Sequence, residues 1–157
     1  MIINKGKFDV VSSFQEDPFV GHLSTPITNS NLTKTYLNLL PAYKKGLSPL
    51  LRGINIGYVH GYFLLGPFTK LGPLRDSQVA NFIGFLATIS LIIILTAALV
   101  VYGFVTFSNK NTPKNELVDF LNPSGWNQFT SGFIIGGFGG TSIAYILLQL
   151  IHFDTIF

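Results

Sequence analysis

The chain has 157 residues, of which 48% are hydrophobic and only 11% are charged. A soluble domain carries about 25% charged residues, so this chain has too few to form a wetted surface, and intrinsic disorder is excluded because it requires low hydrophobicity and high net charge. The formal net charge of +3 comes from scattered Lys and Arg residues, a basic density too low for a nucleic-acid-binding protein. The composition predicts an integral membrane protein with a single domain over residues 1–157.

Catalytic groups are scarce in this sequence. It contains no cysteine, which excludes disulfides, thiolate nucleophiles and Cys-ligated metals. The only histidine within a hydrophobic span is His60, and all seven acidic residues lie outside the spans or at their ends. No HExxH, GxSxG or phosphate-binding glycine loop is present, although these are the motifs that give hydrolases and nucleotide-binding proteins their chemistry. The sequence therefore predicts a non-enzymatic protein.

The first segment, residues 1–45, is polar and interrupted by Pro18, Pro26 and Pro41. Proline together with the Ser/Thr/Asn cluster of residues 24–35 favours turns and loops. We expect a largely irregular segment with one short helix near residues 31–40. It has neither the apolar core of a signal peptide nor the Arg-rich amphipathic pattern of a transit peptide, which favours synthesis in the compartment where the protein works or a mature form.

Three hydrophobic spans follow, at about 48–68, 80–107 and 126–153. A helix needs about 20 apolar residues to cross the hydrocarbon core, and the second and third spans contain no charged residue. The first span contains Arg52, Asn55 and His60, and polar side chains at membrane depth have to be buried in protein or against a ligand. The predicted fold is an all-α membrane protein with three transmembrane helices and a long N-terminal segment. A re-entrant first segment is the less favoured alternative.

The connections between the spans predict the orientation. Residues 66–76 are rich in Gly and Pro and are expected to form a turn-rich loop. The N-terminal segment and the second loop together hold seven Lys residues, whereas the first loop holds only Lys70 and Arg75. Because short positively charged flanks stay on the side of synthesis, the N-terminus and the second loop are predicted on that side and the C-terminus on the other.

Two side chains of the first span are candidate ligands. His60 can form a bond to a neighbouring helix, line a polar path or give a neutral imidazole to a metal. Asn55 offers an amide oxygen, and helix–helix bonding is its equally plausible alternative. Five residues of helix separate the two by about 140°, so they would serve two sites and would not chelate one metal.

Small residues mark two predicted packing faces. Glycine recurs at every fourth position of the first and third spans, a spacing that lets a partner helix or a flat ring approach the backbone. The residues are Gly53, Gly57 and Gly61 on the first span and Gly132, Gly136 and Gly140 on the third. Arg52 can reach the headgroups or pair with another chain, and Asp76 is too isolated a carboxylate to indicate calcium.

Five stretches resemble the family of photosystem I reaction centre subunit XI (PsaL). They occur in the same order as in the family and cover most of the chain beyond residue 16. The stretches are DPFVGHLSTPI (17–27), NLLPAYKKGLSPLLRG (38–53), HGYFLLGPFTKLGPLRD (60–76), ALVVYGFVTF (98–107) and GWNQFTSGFIIGGFGG (125–140).

The resemblance implies a non-catalytic thylakoid subunit with three transmembrane helices and a stromal N-terminus. It also implies chlorophyll a, with β-carotene or a related carotenoid, and contacts with the large reaction-centre subunits, the small subunit VIII, thylakoid lipids and, in some complexes, antenna proteins. The family commonly has Glu and, five residues later, His as chlorophyll ligands on the first helix. The His corresponds to His60, whereas Asn55 stands at the Glu position. No metal is expected apart from chlorophyll magnesium.

Lineage and assembly are further expectations. The N-terminal sequence fits a plastid-encoded protein of a red-lineage alga, with a cyanobacterial thylakoid as the second possibility. The ending QLIHFDTIF is shorter than the tails that form trimers in the family, which favours a monomeric photosystem with this subunit at its rim. The alternative function is a pigment-free helical scaffold of another membrane complex.

Overall fold

The structure, a computed structural model, describes residues 10–13, 17, 19, 21–107 and 122–154, with side chains up to 151. Several residues used in the predictions lie outside this described part. Among them are Pro18 of the N-terminal segment, Lys5, Lys7, Lys110 and Lys114 of the charge count, and residues 155–157 of the C-terminal ending. The chain divides into two compact units that meet in sequence at Lys44 and Lys45.

The N-terminal unit contains two short strands and a helix. Strands β1 (Ser12–Ser13) and β2 (Leu23–Ser24) pair antiparallel. Helix α1 (Asn31–Leu39) begins after Ser30, whose hydroxyl accepts a hydrogen bond from the Thr33 N–H at 3.1 Å. A serine in this role satisfies an N–H that would otherwise lack a partner in the first turn. The short helix predicted near residues 31–40 is confirmed.

The second unit begins with helix α2 (Pro49–Leu71). Ser48 caps the helix, and Pro49 occupies the first turn, where its missing N–H costs no hydrogen bond. The helix continues through Pro67 and ends at Leu71. The prediction that residues 66–76 form a loop is therefore wrong for their first half, because one proline removes a single backbone bond and neighbouring packing compensates.

Helices α3 (Ala80–Phe107) and α4 (Pro123–Asp154) complete the unit. The bounds of α3 agree with the second predicted span. Helix α4 begins three residues before the third predicted span, because Pro123 is well tolerated at the first position of a helix. Among the described residues, two helices are long and apolar enough to cross a membrane, namely α3 and α4 up to Ile151. Helix α2 is not among them, so the prediction of three spans is confirmed only in part.

The three long helices pack along one another. Gly53 of α2 lies against Phe129 of α4, and Gly61 lies against Gly137, so the contacts advance in the same direction along both helices. Helix α3 runs the opposite way, because its start meets Thr69 of α2 through Gly84 and its end meets Trp126 of α4. The result is an up-down-up arrangement in which α2 and α4 are parallel neighbours.

The core lies between these helices. Leu65 and Ile92 are fully buried, and Ile92 of α3 packs against Gly137 of α4. The hydroxyls of the buried Thr88 and Thr141 donate to carbonyls four residues earlier, at 2.8 and 2.7 Å. Such bonds satisfy a hydroxyl within its own helix, so threonine acts here as a small residue that permits close packing.

Candidate functional site

His60 lies on α2 with its ring orientation fixed. Its Nδ1 is 2.7 Å from the carbonyl oxygen of Ile56, one turn earlier. Because a carbonyl only accepts hydrogen bonds, Nδ1 carries the proton in this contact and Nε2 of the neutral ring keeps its lone pair. A backbone carbonyl on one ring nitrogen is the arrangement that prepares the other nitrogen as a metal ligand.

An aromatic ring from α4 flanks the histidine. The centroids of His60 and Phe133 are 5.7 Å apart, with an interplanar angle of 61°. Phe133 is buried, whereas His60 is exposed at the surface of the chain. The imidazole is thus held between its own helix and a fixed neighbour, while the residue remains accessible from outside the bundle.

Asn55 shows the same local pattern on another part of α2. Its Nδ2 donates to the carbonyl oxygen of Leu51 at 2.8 Å, and the residue is exposed. Since this bond uses the amide nitrogen, the amide oxygen remains an acceptor that can bind a hard cation or a water. The angular separation from His60 means that any ligands of the two side chains approach α2 from different directions.

The six glycines of the two predicted faces lie at the contact between α2 and α4, each against backbone of the other helix. A Cβ on Gly57 would approach the backbone of Phe133, and a Cβ on Gly136 would approach the backbone of Ile54, both at distances under 3.0 Å. The other four make equivalent approaches to backbone of the opposite helix, namely Gly53, Gly61, Gly132 and Gly140. Each helix therefore places its glycines against the other helix. The backbone of the partner helix, and not a flat ring, occupies the space beside these six glycines.

Two charged candidates lie near the ends of α2. The Nη2 of Arg52 donates to the carbonyl oxygen of Leu47 at 3.3 Å. The Oδ2 of Asp76 lies 3.6 Å from the Nε of Arg75, and both side chains are exposed. Within the described part of the chain, no group of three or more His, Asp or Glu residues is positioned to hold a metal ion.

Sequence reasoning missed the contacts that join α3 to α4. The Nε1 of Trp126 donates to the carbonyl oxygen of Leu99 at 2.7 Å, and the indole packs against Phe107 and Phe129. Gly103 leaves room for this indole. A single tryptophan at the start of a span suggests an interface anchor, but no sequence pattern indicates which carbonyl it meets 27 residues away.

This fold defines a class. It is a mostly helical protein with two helices apolar enough to cross a membrane, its long helices pack through glycine, and the candidate ligands His60 and Asn55 lie singly on α2. The family model of photosystem I reaction centre subunit XI matches residues 10–153. The chain belongs to this family.

Curated relatives are similar in sequence to this chain over nearly its whole length. Photosystem I reaction center subunit XI of Cyanothece sp. is 50% identical over 148 residues, which cover 94% of this chain and 90% of the relative. The subunit of the alga Gracilaria tenuistipitata is 54% identical over 141 residues, 89% of this chain and 91% of the relative. That of Isochrysis galbana is 52% identical over 145 residues, 92% and 97% of the two chains.

Membership settles several predictions. The family consists of structural, non-enzymatic subunits of photosystem I, so the chain serves photosynthesis within the thylakoid membrane and associates with other photosystem subunits. Pigments are the cofactors of this complex in general. The alternative of a scaffold in some other membrane complex is wrong, because both comparisons identify photosystem I.

Proposed function

We propose that this subunit holds chlorophyll a at the periphery of photosystem I, with Nε2 of His60 as a ligand to the magnesium of one pigment. The supporting observation is the 2.7 Å contact between Nδ1 and the Ile56 carbonyl, in which Nδ1 is the donor and Nε2 is left as the nitrogen that could bind a metal. Because the pigment ring itself would hold the magnesium, the metal would need only one further ligand from the protein and would accept a nitrogen or an oxygen. A bound chlorophyll would supply light absorption and energy transfer.

Asn55 is proposed to support a second chlorophyll, directly through Oδ1 or through a water. Its Nδ2 is engaged by Leu51 O at 2.8 Å, which orients the oxygen away from that carbonyl. Replacing the family's Glu by Asn removes a charge from membrane depth and keeps an oxygen acceptor, although on a side chain that is one methylene shorter, so that a water would bridge any remaining distance. The fit to a hard cation therefore persists at this position.

We also propose that α2 spans the membrane. It has 23 residues, about 34 Å at 1.5 Å per residue, which exceeds the roughly 30 Å of the hydrocarbon core. The parallel glycine contacts with α4 bind it along a helix that is apolar enough to cross. Its polar side chains are the groups that a pigment or a neighbouring subunit would cover.

The finer assembly follows from the same proposal. The lysine-rich N-terminal segment supports a stromal N-terminus, and the exposed aromatic and aliphatic side chains of α3 and α4 offer surface for β-carotene or a related carotenoid and for thylakoid lipids. The proposed protein partners are the large reaction-centre subunits, the small subunit VIII and antenna proteins. We propose a plastid of a red-lineage alga, with a cyanobacterial thylakoid as the alternative.

Replacing His60 tests the pigment site. In the intact photosystem, His60→Leu removes the nitrogen donor but keeps an apolar side chain, and the pigment-resolved map is expected to lose one chlorophyll beside α2. His60→Gln retains an oxygen on a side chain of similar length and is expected to keep that chlorophyll. Phe63→Leu is the matched control, because Phe63 is exposed on the same helix and has no donor atom.

The pigment-resolved density map of the intact photosystem shows which of these variants keep the chlorophyll beside α2. A wild-type complex in which no magnesium lies at ligand distance from Nε2 would refute the assignment of His60. Retention of the same chlorophyll in His60→Leu would refute the need for the nitrogen. If His60→Leu prevents assembly of the subunit, the distance between Nε2 and magnesium in the wild-type complex still tests the assignment of His60.

A further inference from the structure

Two tyrosine hydroxyls near the middle of α2 form no hydrogen bond with any described residue of the chain. Tyr58 and Tyr62 lie on either side of His60, the midpoint of α2 (Pro49–Leu71), and both are 37% exposed. Their contacts within the described part of the chain are made by the rings and not by the hydroxyls. If α2 spans the membrane, these residues lie within about 3 Å of its midpoint. An unpaired hydroxyl is costly in an apolar environment, which favours an acceptor on another molecule.

The ring of Tyr62 is held between two other aromatic rings of α2. Tyr58 stacks on it with a centroid distance of 6.2 Å and an interplanar angle of 17°. Phe63 meets it edge to face at 5.5 Å and 84°. Both arrangements are favourable for aromatic pairs. Tyr62 is therefore restrained on two sides, and its hydroxyl is a donor with a restricted direction.

Tyr62 lies on the same side of α2 as the candidate ligand Asn55. Seven residues of helix place the two within about 20° of each other and about 10 Å apart along the axis, whereas His60 is about 160° away from Tyr62. Long side chains of a helix lean towards its N-terminus, so the Tyr62 hydroxyl is displaced towards Asn55. Val59 between them is exposed, and nothing lies within 4 Å of a Cβ placed on Gly66 beyond them. This side of α2 is therefore an open surface along which a flat ring can lie.

We propose that the Tyr62 hydroxyl donates a hydrogen bond to a carbonyl group at the rim of the chlorophyll held at Asn55, and so orients that pigment and lowers its excitation energy. The inference rests on the proposed second chlorophyll and on the proposed span of α2. Lipid chains and β-carotene are hydrocarbons without an acceptor, and the carbonyls of a neighbouring helix are used in its own backbone bonds. A chlorophyll ring carries carbonyl oxygens at its rim, and a hydrogen bond to a carbonyl conjugated with the ring shifts the absorption to longer wavelength.

The intact photosystem provides two measurements. In the pigment-resolved map of the wild type, we expect the Tyr62 Oη at about 2.5–3.0 Å from a carbonyl oxygen of the chlorophyll at Asn55, the range of an O–H···O bond. Tyr62→Phe removes only the hydroxyl, and its low-temperature absorption spectrum is expected to show the band of one chlorophyll shifted to shorter wavelength, with that pigment still in place. Tyr58→Phe is the matched control, because it removes the same group from the stacked neighbour, about 60° around the helix from Asn55, and is expected to leave that band unshifted.

The wild-type map separates failure of this inference from failure of the pigment site. A chlorophyll at Asn55 whose carbonyl oxygens all lie beyond hydrogen-bond distance of Tyr62 would overturn the inference and leave the pigment site standing. A map without a chlorophyll at Asn55 would overturn both. An unshifted spectrum in Tyr62→Phe, or an equal shift in Tyr58→Phe, would also refute the role of the Tyr62 hydroxyl. If Tyr62→Phe prevents assembly, the distance in the wild-type map decides.

Discussion

Gly136→Ala is expected to destabilise the contact between α2 and α4. The added Cβ would lie 2.8 Å from both the carbonyl carbon and the Cα of Ile54, and nearer still to the Ile54 oxygen. Ordinary contacts begin at 3.4 Å. These neighbours are backbone atoms, which cannot rotate away as a flexible side chain can, so the helices have to separate locally.

The magnitude follows from that separation. A gap of about 1 Å forfeits up to about half of the dispersion energy of each atom pair it opens, and the other glycine approaches along the same face are opened with it. Overpacking a tight interior costs about 1–3 kcal/mol. Gly139→Ala is the matched control, because it lies three residues away on the same helix with nothing within 4 Å of its Cβ, and both variants gain the same helix propensity of about 1 kcal/mol.

The assay is unfolding of the full chain in mixed micelles by a denaturing detergent, followed by the fluorescence of Trp126, the single tryptophan. The free energy of unfolding of Gly136→Ala is expected to lie about 1–3 kcal/mol below that of Gly139→Ala. Equal values for the two variants would refute the reasoning, because they would show that α2 does not approach α4 closely at Gly136.

Three further predictions concern other sites. Asn55→Leu is expected to displace the second chlorophyll from the map of the intact complex and Asn55→Asp to retain it; retention in both would contradict ligation through Oδ1. Trp126→Phe removes the hydrogen bond to Leu99 O and is expected to lower the free energy of unfolding by at least about 1 kcal/mol, measured by circular dichroism, and an unchanged value would mean that the bond is replaced by water. The monomeric photosystem stays a prediction, which particle images check; a threefold assembly centred on this chain would rule it out.

The helices show what local sequence predicts well. An uninterrupted apolar run without charges gives α3 bounds that agree with the structure, because long runs of this kind have no competing conformation in a membrane protein. The capping contact of Ser30 with the Thr33 N–H, which the structure shows at the start of α1, is likewise local. In both cases the decisive interactions are within four residues of one another along the chain.

Prediction failed where a local signal was overruled. Glycine and proline at Gly66 and Pro67 indicate a loop by composition, yet α2 continues to Leu71. The buried Leu65 and Thr69 explain the extension, since they hold this last part of the helix against its neighbours. Tertiary packing thus supplied the stability that the proline removed.

The sequence by itself determined the class, the helix-forming segments, the glycine spacing and the two candidate ligands on α2, because each depends on composition or on residues one turn apart. Even the hydrogen bond from His60 to Ile56 is of this local kind. Only the tertiary structure decided that the two glycine faces meet each other in parallel, that Phe133 flanks His60 and that Trp126 bonds to Leu99. These contacts join helices many residues apart, and helical periodicity states which side of a helix is small or apolar without stating which partner will cover it.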